Sequence, residues 1–402
     1  MRRREFLTMA AVGGAVAGVG GPVFLRRAYA QTPIKIGMPA ALSGSNAQYG
    51  IQARRAGELF AKDIKAKGIL GRPVEFIYED TGGDPATAVR KAQKLVEKDG
   101  VKFLTGVALS SEALAVSAKC PEWKVVFMST INGAGSLTTK SFHRYFFRVN
   151  TSGPMGARAV SLYLAESPMK RFFGLGSDYA WGRDSVGSFS EQITAAKKEV
   201  VGKDYPPVGT KDFASYIAKI RQSKAEGVYL VLAGQDATIF PPAGPPVRLD
   251  ARGEADHGDP GAGEHEGRGR RHAGGDRQLA LSLHRRHAEE PRLRRPLSRD
   301  ARHLPGHVRR RDVRRASEWL AQVIQKAGTA DDVEKVIDAW EDSSYEGLEG
   351  PFFMRKCDHQ AVQPGFMVEA VKDPKYPHLI PKILATYPGD KVTPKCRTEE
   401  FS

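Results

Sequence analysis

The sequence predicts an α/β protein with two doubly wound lobes, in which parallel sheets are covered by helices on both faces. Short apolar strands alternate with amphipathic helices, and the alternation occurs in two series that meet near residue 150. The strands are runs of four or five mainly apolar residues, a pattern typical of strands buried on both faces. If an export signal is removed at Ala30, 372 residues remain, a length that suits two domains.

The first series contains five predicted strands and three predicted helices. The strands are predicted at 34–38, 74–78, 101–106, 125–128 and 146–149, and the helices at 48–67, from 85, and at 110–119. Apolar residues at helical spacing define the first helix, and Gly68 and Gly71 end it. Asp84-Pro85 begins the second, because proline at the first helical position loses no hydrogen bond.

The second series follows Pro154. It is predicted to contain helices at 154–165, 182–197 and 213–224, with strands at 171–175 and 227–232. Two such series predict two lobes, each with its own sheet.

The N-terminus has the anatomy of a twin-arginine export signal. Arg3 and Arg4 precede an uncharged run at 8–25 that is rich in Ala, Gly and Val, and residues 28–30 (Ala-Tyr-Ala) form a small-x-small cleavage pattern. A membrane anchor is the alternative, but the run is Gly-rich and barely reaches the roughly 20 apolar residues that a bilayer requires. We therefore predict that residues 1–30 are removed, that no later segment spans a membrane, and that the mature protein is periplasmic.

Residues 241–315 differ in composition from the rest of the chain. They contain 18 Arg and 7 of the chain's 10 His, but no Lys, Ile, Phe, Tyr, Trp, Met, Asn, Thr or Cys. Arg, Ala, Gly and Pro are the residues that GC-rich DNA yields when it is translated out of frame. A natural basic, disordered arm is the alternative, but this segment interrupts a globular pattern that resumes at 316. We interpret 241–315 as a frame-shifted segment with irregular, exposed structure.

The formal net charge of +15 does not indicate a nucleic-acid partner. Residues 241–315 carry 18 Arg against 11 acidic residues, which is +7 of that total, and the export signal carries another +4. The remaining +4 is unremarkable for a chain of this length, so no nucleic-acid partner is predicted.

Three cysteines remain after export. Secretion permits disulfides, and we predict a pair between Cys357 and Cys396, both in the C-terminal region. Cys120, at a helix end, is predicted to be a buried free thiol. No CxxC or Cys/His spacing indicates a metal site, and no cofactor is predicted.

Short motifs follow one another along the chain. The first are Ile34-Lys35-Ile36-Gly37, Leu42-Ser43-Gly44, Gln48-Tyr49-Gly50, Gly71-Arg72-Pro73-Val74, Tyr78-Glu79-Asp80, Ser110-Ser111 and Met128-Ser129-Thr130. The later ones are Asp178-Tyr179-Ala180-Trp181-Gly182, residues 212–217 (Asp-Phe-Ala-Ser-Tyr-Ile), Asp358-His359-Gln360 and Gln363-Pro364. In this order, behind an export signal, they resemble the periplasmic substrate-binding proteins of branched-chain amino acid ABC transporters, the leucine/isoleucine/valine-binding type. The resemblance covers residues 1 to about 240 and about 319 to 402.

The resemblance implies a type I periplasmic binding protein fold, with two Rossmann-like lobes, three crossings between them, and a ligand cleft closed by a hinge. On this basis residues 31–150 and 316–345 belong to the first lobe, and 151–240 and 346–402 to the second lobe and C-terminal tail. The segment 241–315 lacks the apolar residues that the strands and helices of both lobes need. We therefore expect that the chain as written does not form a closed, ligand-competent cleft.

Two loops are predicted to form the cleft wall of the first lobe. Ser110 and Ser111 follow a strand and open a helix, whose free N–H groups and positive dipole end attract a carboxylate. Simple helix capping is the alternative interpretation. Ile131, Asn132 and Gly133 follow the next strand and are predicted to form the neighbouring part of the wall.

Further positions come from the resemblance. Tyr49 and Trp181 match positions where the family holds aromatic rings over the ligand, with ordinary packing as the alternative. Gly133 stands where family members usually carry a hydroxyl residue, which implies that this chain binds the ligand carboxylate through different contacts. Gln235 follows a strand of the second lobe and is predicted to face the cleft.

The family's acidic partner for a ligand ammonium would fall inside 241–315, and neither Glu264 nor Glu266 is assigned that role. The resemblance implies a monomer that delivers a small solute to the permease subunits of an ABC importer. A branched-chain or related amino acid is the first expectation. Amides, urea-like compounds and aromatic acids are alternatives, as is a sensory receptor domain with the same fold.

No catalytic site is predicted. The chain has no GxSxG motif and no phosphate-binding loop, and no motif gives Ser43 a His or Asp partner. His143 and His359 are isolated and are predicted to be structural. The sequence therefore favours a binding protein over an enzyme.

Overall fold

A computed structural model describes residues 32–240, 307–347, 349–376 and 380–396. The predicted export signal and most of the predicted frame-shifted segment lie outside these residues. Among the residues it does describe, none forms a helix with the length and apolarity needed to cross a bilayer. The described chain contains two parallel sheets and two small antiparallel ones, which agrees with the predicted α/β class.

The first lobe is built on a five-stranded parallel sheet in the order β2-β1-β3-β4-β5. Its strands are β1 Ile34–Ala40, β2 Val74–Asp80, β3 Phe103–Leu104, β4 Val126–Ser129 and β5 Phe146–Arg148. Its helices are α1 Ala47–Ile64, α2 Pro85–Glu97, α3 Ser110–Ser117, α4 Cys120–Trp123 and a 3-10 helix at Gly135–Thr138. The predicted strand at 101–106 is shorter than expected, and Gly106 at its end has a φ of +83° that leaves the β region.

Local sequence explains how these elements begin and which face they bury. The Asp84 side chain accepts a hydrogen bond from Thr87 N at 2.7 Å and caps α2, with Pro85 at the first helical position. In α1 the apolar residues Ala53, Ala56 and Phe60 are buried at helical spacing.

The second lobe contains a three-stranded parallel sheet in the order β7-β6-β8. Its strands are β6 Arg171–Gly176, β7 Glu199–Asp204 and β8 Gly227–Val231. Its helices are α5 Gly153–Ala165, α6 Ala180–Ala195, α7 Ala214–Gln222 and α8 Gly234–Ile239. Strand β7 was not predicted, because a partly exposed edge strand with two consecutive valines gives no clear period-two pattern.

The C-terminal part of the described chain completes both lobes. It contains α9 His307–Ala327, α10 Val333–Trp340, β9 Ser344–Gly347, β10 Gly350–Met354, β11 Ala361–Val362, β12 Gly365–Val371, β13 Ile380–Tyr387 and α11 Gly389–Val392. Helices α9 and α10 pack on the first-lobe sheet, where Trp319 and Trp340 are among the largest fully buried side chains. The hairpin β12-β13 packs on the second lobe through Met367 and Tyr387.

The first-lobe sheet has a hydrophobic core on each face. Ile36, Phe103 and Val126 pack in the core that contains α9 and α10. Leu104 and Phe127, one position along their strands, pack with α2 and α3 on the other face. The sheet is therefore covered on both sides, as the apolar strands predict.

Two predicted boundaries are wrong. Helix α9 begins at His307, inside the segment expected to be irregular and exposed. Val313 is fully buried, and the buried Arg315 donates hydrogen bonds to Asp312 and Glu349. Pairing with two carboxylates allows an arginine to be buried there, so the expectation fails for the part of the segment that lies in α9.

The second boundary is the predicted start of second-lobe structure at 346. Strands β10 and β11 instead pack in the first lobe, where Phe352, Met354 and Ala361 share a core with Phe147. Within the described chain, crossings between the lobes therefore lie at 149–152, between β5 and α5, and at 363–364, between β11 and β12. The physical reason is that the apolar side chains of β10 complete the core around α10.

A disulfide joins Cys357 and Cys396, whose Cα atoms are 6.3 Å apart. It links the turn after β10 to the C-terminal segment beyond α11. Cys120 is a buried free thiol whose Sγ lies 3.4 Å from the carbonyl oxygen of Val116, and burial raises its pKa. Asp358 lies beside the disulfide, but its carboxylate pairs with Arg355 and the two sulfurs are already bonded, so these residues do not form a metal site.

Candidate functional site

The carboxyl ends of the parallel strands of both lobes face each other. The loops after β1, β3 and β4 come from the first lobe, and the loops after β6 and β8 from the second. Open α/β sheets bind ligands at this edge. The arrangement brings together residues that are far apart in the sequence.

A small cavity of about 20 Å³ lies where these loops meet. The residues lining it are Tyr49, Ala108, Leu109, Ser110, Ile131, Asn132, Gly133, Tyr179, Trp181 and Ala233. The volume is room for a water molecule, which indicates that the cleft is closed.

Six of the predicted ligand-binding residues line this cavity: Tyr49, Ser110, Ile131, Asn132, Gly133 and Trp181. Two do not. Ser111 is half-buried on α3, outside the lining, and Gln235 is exposed on α8. Their side chains leave the cleft because consecutive residues of a helix point about 100° apart.

Four lining residues were not predicted. Tyr179 lies within one of the family motifs, in the loop between β6 and α6, and its position at a carboxyl edge was a usable signal. Ala108, Leu109 and Ala233 have apolar side chains, which give no chemical signal in the sequence.

Ser110 joins two loops of the cleft wall. Its Oγ accepts hydrogen bonds from Gly133 N at 3.2 Å and from Ala134 N at 3.1 Å. Both lone pairs of the hydroxyl oxygen are therefore used, and its hydrogen remains able to donate. Ser110 is buried, and because it is the first residue of α3 rather than its cap, the capping interpretation is wrong for it.

Glu112 caps α3 instead. Its fully buried carboxylate accepts one hydrogen bond from Leu109 N at 3.0 Å and another from Thr81 Oγ1 at 2.5 Å. Burial raises the pKa of Glu112, while these two hydrogen bonds oppose the increase. Glu112 thus orders the loop that carries Ser110 without lining the cavity.

Tyr49 connects the lobes across the cleft. Its hydroxyl oxygen accepts a hydrogen bond from Gly234 N, the first residue of α8, at 2.7 Å. A second contact joins Ser136 N to Asp184 Oδ2 at 3.1 Å. These contacts hold the lobes together, so the expectation that the chain as written forms no closed cleft is wrong as far as closure is concerned.

Aromatic rings form the wall of the second lobe. The rings of Tyr179 and Trp181 have centroids 5.9 Å apart and planes inclined by 42°. Asp236, beside Gln235, is buried and accepts from Gly209 N at 3.1 Å, and burial raises its pKa. Among the described residues, no carboxylate lines the cavity.

The two isolated histidines lie outside this lining. His143 Nδ1 accepts from Tyr145 N at 3.2 Å, and His359 packs parallel to Phe147 with centroids 4.0 Å apart. Burial is the main cause of the lowered pKa of both histidines. Their contacts are those of structural side chains.

The sequence profile described as periplasmic binding protein matches residues 33–243 and 316–375, more than half of the chain. The chain belongs to this family. The match leaves out residues 244–315, most of the segment with aberrant composition. The family consists of binding proteins rather than enzymes.

A curated relative of this family member is Leu/Ile/Val-binding protein homolog 6 of Brucella suis biovar 1 (strain 1330). It is 29% identical over 221 residues, which are 53% of this chain and 54% of the relative. The chain thus spans about half the length of the curated relatives it matches.

Solved structures show the same bilobal fold. An ABC transporter substrate-binding protein from Sphaerobacter thermophilus superposes with a TM-score of 0.70 at 23% identity, over 89% of this chain and 98% of that chain. A solute-binding protein of an ABC transporter from Rhodopseudomonas palustris, in complex with 4-hydroxybenzoate, has a TM-score of 0.69 at 20% identity, over 89% and 97%.

Proposed function

We propose that this protein is an extracytoplasmic, monomeric solute-binding protein that delivers a small solute to the permease subunits of an ABC importer. The observation that carries the proposal is the cavity in which Ser110 of one lobe meets the aromatic side chain of Trp181 from the other. Membership of a family of binding proteins supports reversible binding without turnover. The interlobe hydrogen bond of Tyr49 supports closure around the solute.

The solute should carry a hydrogen-bond acceptor such as a carboxylate or an amide oxygen. The Ser110 oxygen already accepts two hydrogen bonds, so its hydroxyl is left to act as a donor. The N-terminus of α3 adds a positive dipole end behind the same wall. Both features favour negative charge on the solute.

A branched-chain amino acid is the first candidate, in keeping with the Leu/Ile/Val-binding name of the Brucella relative. No described carboxylate lines the cavity, so a carboxylate partner for its ammonium group would have to come from outside the described residues.

An aromatic acid is the second candidate. The aromatic side chains of Tyr49, Tyr179 and Trp181 line the cavity, and no described carboxylate does. A planar acid without an ammonium group would stack on such rings. The Rhodopseudomonas neighbour that holds 4-hydroxybenzoate supports this candidate by analogy of fold.

Thermal unfolding of the full chain with leucine, 4-hydroxybenzoate, acetamide or urea tests the proposal. A solute at about 100 times its Kd should add about 2.7 kcal/mol of stability. Ser110→Ala should reduce the effect of the binding solute, whereas Ser111→Ala, one residue along the same helix but outside the cavity, should leave it unchanged. If no solute raises the unfolding temperature, either of this chain or of one with a restored reading frame, the proposed solute class is wrong.

A further inference from the structure

Buried amide side chains lie behind the cleft wall, where the two described crossings run side by side. Asn150 lies on the first crossing, and Gln360 lies just before the second. They are only 4% and 1% exposed, and neither lines the cavity. Gln363 adds a direct link, because its Nε2 donates to the carbonyl oxygen of Val149 at 3.4 Å.

Asn150 holds the backbone of the cleft wall. Its Nδ2 donates to the carbonyl oxygen of Asn132 at 3.0 Å and to that of Thr151 at 3.1 Å. Ser129 Oγ lies 3.1 Å from Asn150 Oδ1 and 2.8 Å from Asn132 Oδ1. Because Asn132 lines the cavity, Asn150 connects the wall to the first crossing without touching a bound solute.

Gln360 extends the network to the second crossing. Its Nε2 donates to the carbonyl oxygens of Asn150 and Ala361, at 3.1 Å and 3.0 Å. Its Oε1 accepts from Nη1 of Arg148 at 3.3 Å, and Nη2 of the same arginine donates to the carbonyl oxygen of Ala134. Arg148 is fully buried, and burial lowers its pKa to about 9.

These contacts resist independent motion of the wall and the crossings. A buried amide that loses its hydrogen-bond partners is destabilised by its full free energy of desolvation, because water does not reach it to replace them. The contacts should therefore favour the closed arrangement in which they are seen, because the crossings must change their backbone angles when the lobes part.

We propose that Asn150 and Gln360 are positioning residues that couple the shape of the cleft wall to the opening and closing of the lobes. The consequence for solute affinity rests on the proposed function, but the coupling can be measured without a solute. A failure of one proposal is thus distinguishable from a failure of the other.

The structure supplies two reporters of lobe closure. The amide of Gly234 donates to Tyr49 across the cleft, and the amide of Ser136 donates to Asp184 of the other lobe. Both amides lose their acceptors when the lobes part. Their hydrogen exchange therefore measures the population of the open state.

Hydrogen–deuterium exchange of the full chain should be compared for wild type, Asn150→Ala and Gln360→Met. We expect the amides of Gly234 and Ser136 to exchange at least about tenfold faster in both variants, the factor given by loss of one buried hydrogen bond. Strand amides inside one lobe, such as that of Phe127, should keep their wild-type rate.

Ser117→Ala is the matched control. It removes a hydrogen bond between the buried Ser117 and His143 in the first lobe, neither of which belongs to a crossing or bonds to Asn150 or Gln360. It should leave the exchange of Gly234 and Ser136 unchanged. This separates coupling from a general loss of stability.

Two results would overturn the proposal. One is faster exchange confined to residues 130–134 and 149–152, with Gly234 and Ser136 unchanged, which would indicate a purely local role. The other is rapid exchange of Gly234 and Ser136 in the wild type, which would show that no closed state exists to be coupled. In Asn150→Ala the strand amides could also exchange faster, which would indicate a general loss of stability. In that case the exchange of Gly234 and Ser136 in Gln360→Met, which keeps Asn150, decides between coupling and a local role.

Discussion

Trp181 of the second lobe closes directly onto Gly133 of the first. A Cβ atom on Gly133 would lie 2.7 Å from Trp181 Cδ1 and 2.9 Å from Nε1. The backbone of Gly133 is fixed on both sides, since its amide donates to Ser110 Oγ and its carbonyl accepts from Gly153 N at 2.7 Å. The indole therefore occupies the space where the resemblance places a hydroxyl side chain, and glycine is required for the lobes to meet.

Substituting Gly133 should oppose closure. In Gly133→Ala the new methyl group would overlap the indole, and overpacking of this kind typically costs about 1–3 kcal/mol. Because the clash exists only when the lobes touch, it should act on the closed state and speed exchange of the Gly234 amide. Adding Trp181→Ala should relieve the effect of Gly133→Ala, and this coupling can be measured as a double-mutant cycle.

Gly187→Ala is the matched control for that experiment. Gly187 lies on α6, and a Cβ atom there would meet nothing within 4 Å. Alanine in a helix interior should stabilise by about 0.5–1 kcal/mol relative to glycine, without changing closure. Equal effects of the two alanine substitutions on exchange would contradict the role given to Gly133.

The disulfide should contribute to stability. Cys357 and Cys396 are 39 residues apart in sequence, and bridging a loop of this size should add about 2–4 kcal/mol. Urea unfolding should therefore shift to lower urea on reduction, and the Cys357→Ser/Cys396→Ser variant should not respond to the reductant. Finding both thiols free in non-reducing peptide maps of exported protein would contradict the pairing.

His143 should make stability depend on pH. Its pKa is lowered in the folded protein, mainly by burial, from an ordinary value of 6.5. The unfolded chain therefore binds more protons than the folded one once the pH falls below about 6.5, and stability is lost in that direction, by at most about 1.4 kcal/mol per pH unit. Unfolding free energies at pH 7.5 and 5.5 should differ less in His143→Gln than in wild type. An unchanged difference would exclude His143 as the cause.

The DNA that encodes residues 241 to about 311 should contain a second open frame with strand and helix patterns. The structural reason is that α9 packs into the first-lobe core from Asp312 onward, so the natural frame should resume before that residue. Sequencing tests this directly. If no other frame shows such patterns, and the chain as written unfolds cooperatively and binds a solute, the interpretation as a frame shift is wrong.

The sequence predicted the strands and helices best where one face is strongly apolar. The start of helix α2 at Pro85, after its Asp84 cap, was predicted as observed, and both bounds of strand β6 were predicted within one residue. It failed for β7, where cross-strand pairing with β6 rather than an apolar pattern makes the strand. The prediction that Gln235 faces the cleft also failed, because a position next to a strand end does not determine the direction of a side chain.

The α/β class, the two lobes and the strand ends where a cleft can form follow from the amino-acid pattern alone, because they depend on local periodicity and on the parallel order of strands. Which side chains meet at those strand ends depends on how the lobes pack. The approach of Trp181 to Gly133, the hydrogen bond of Tyr49 to Gly234, and the amide network around Asn150 all join residues from different lobes or crossings. Such contacts depend on how two separately patterned lobes pack, and no local pattern encodes that geometry.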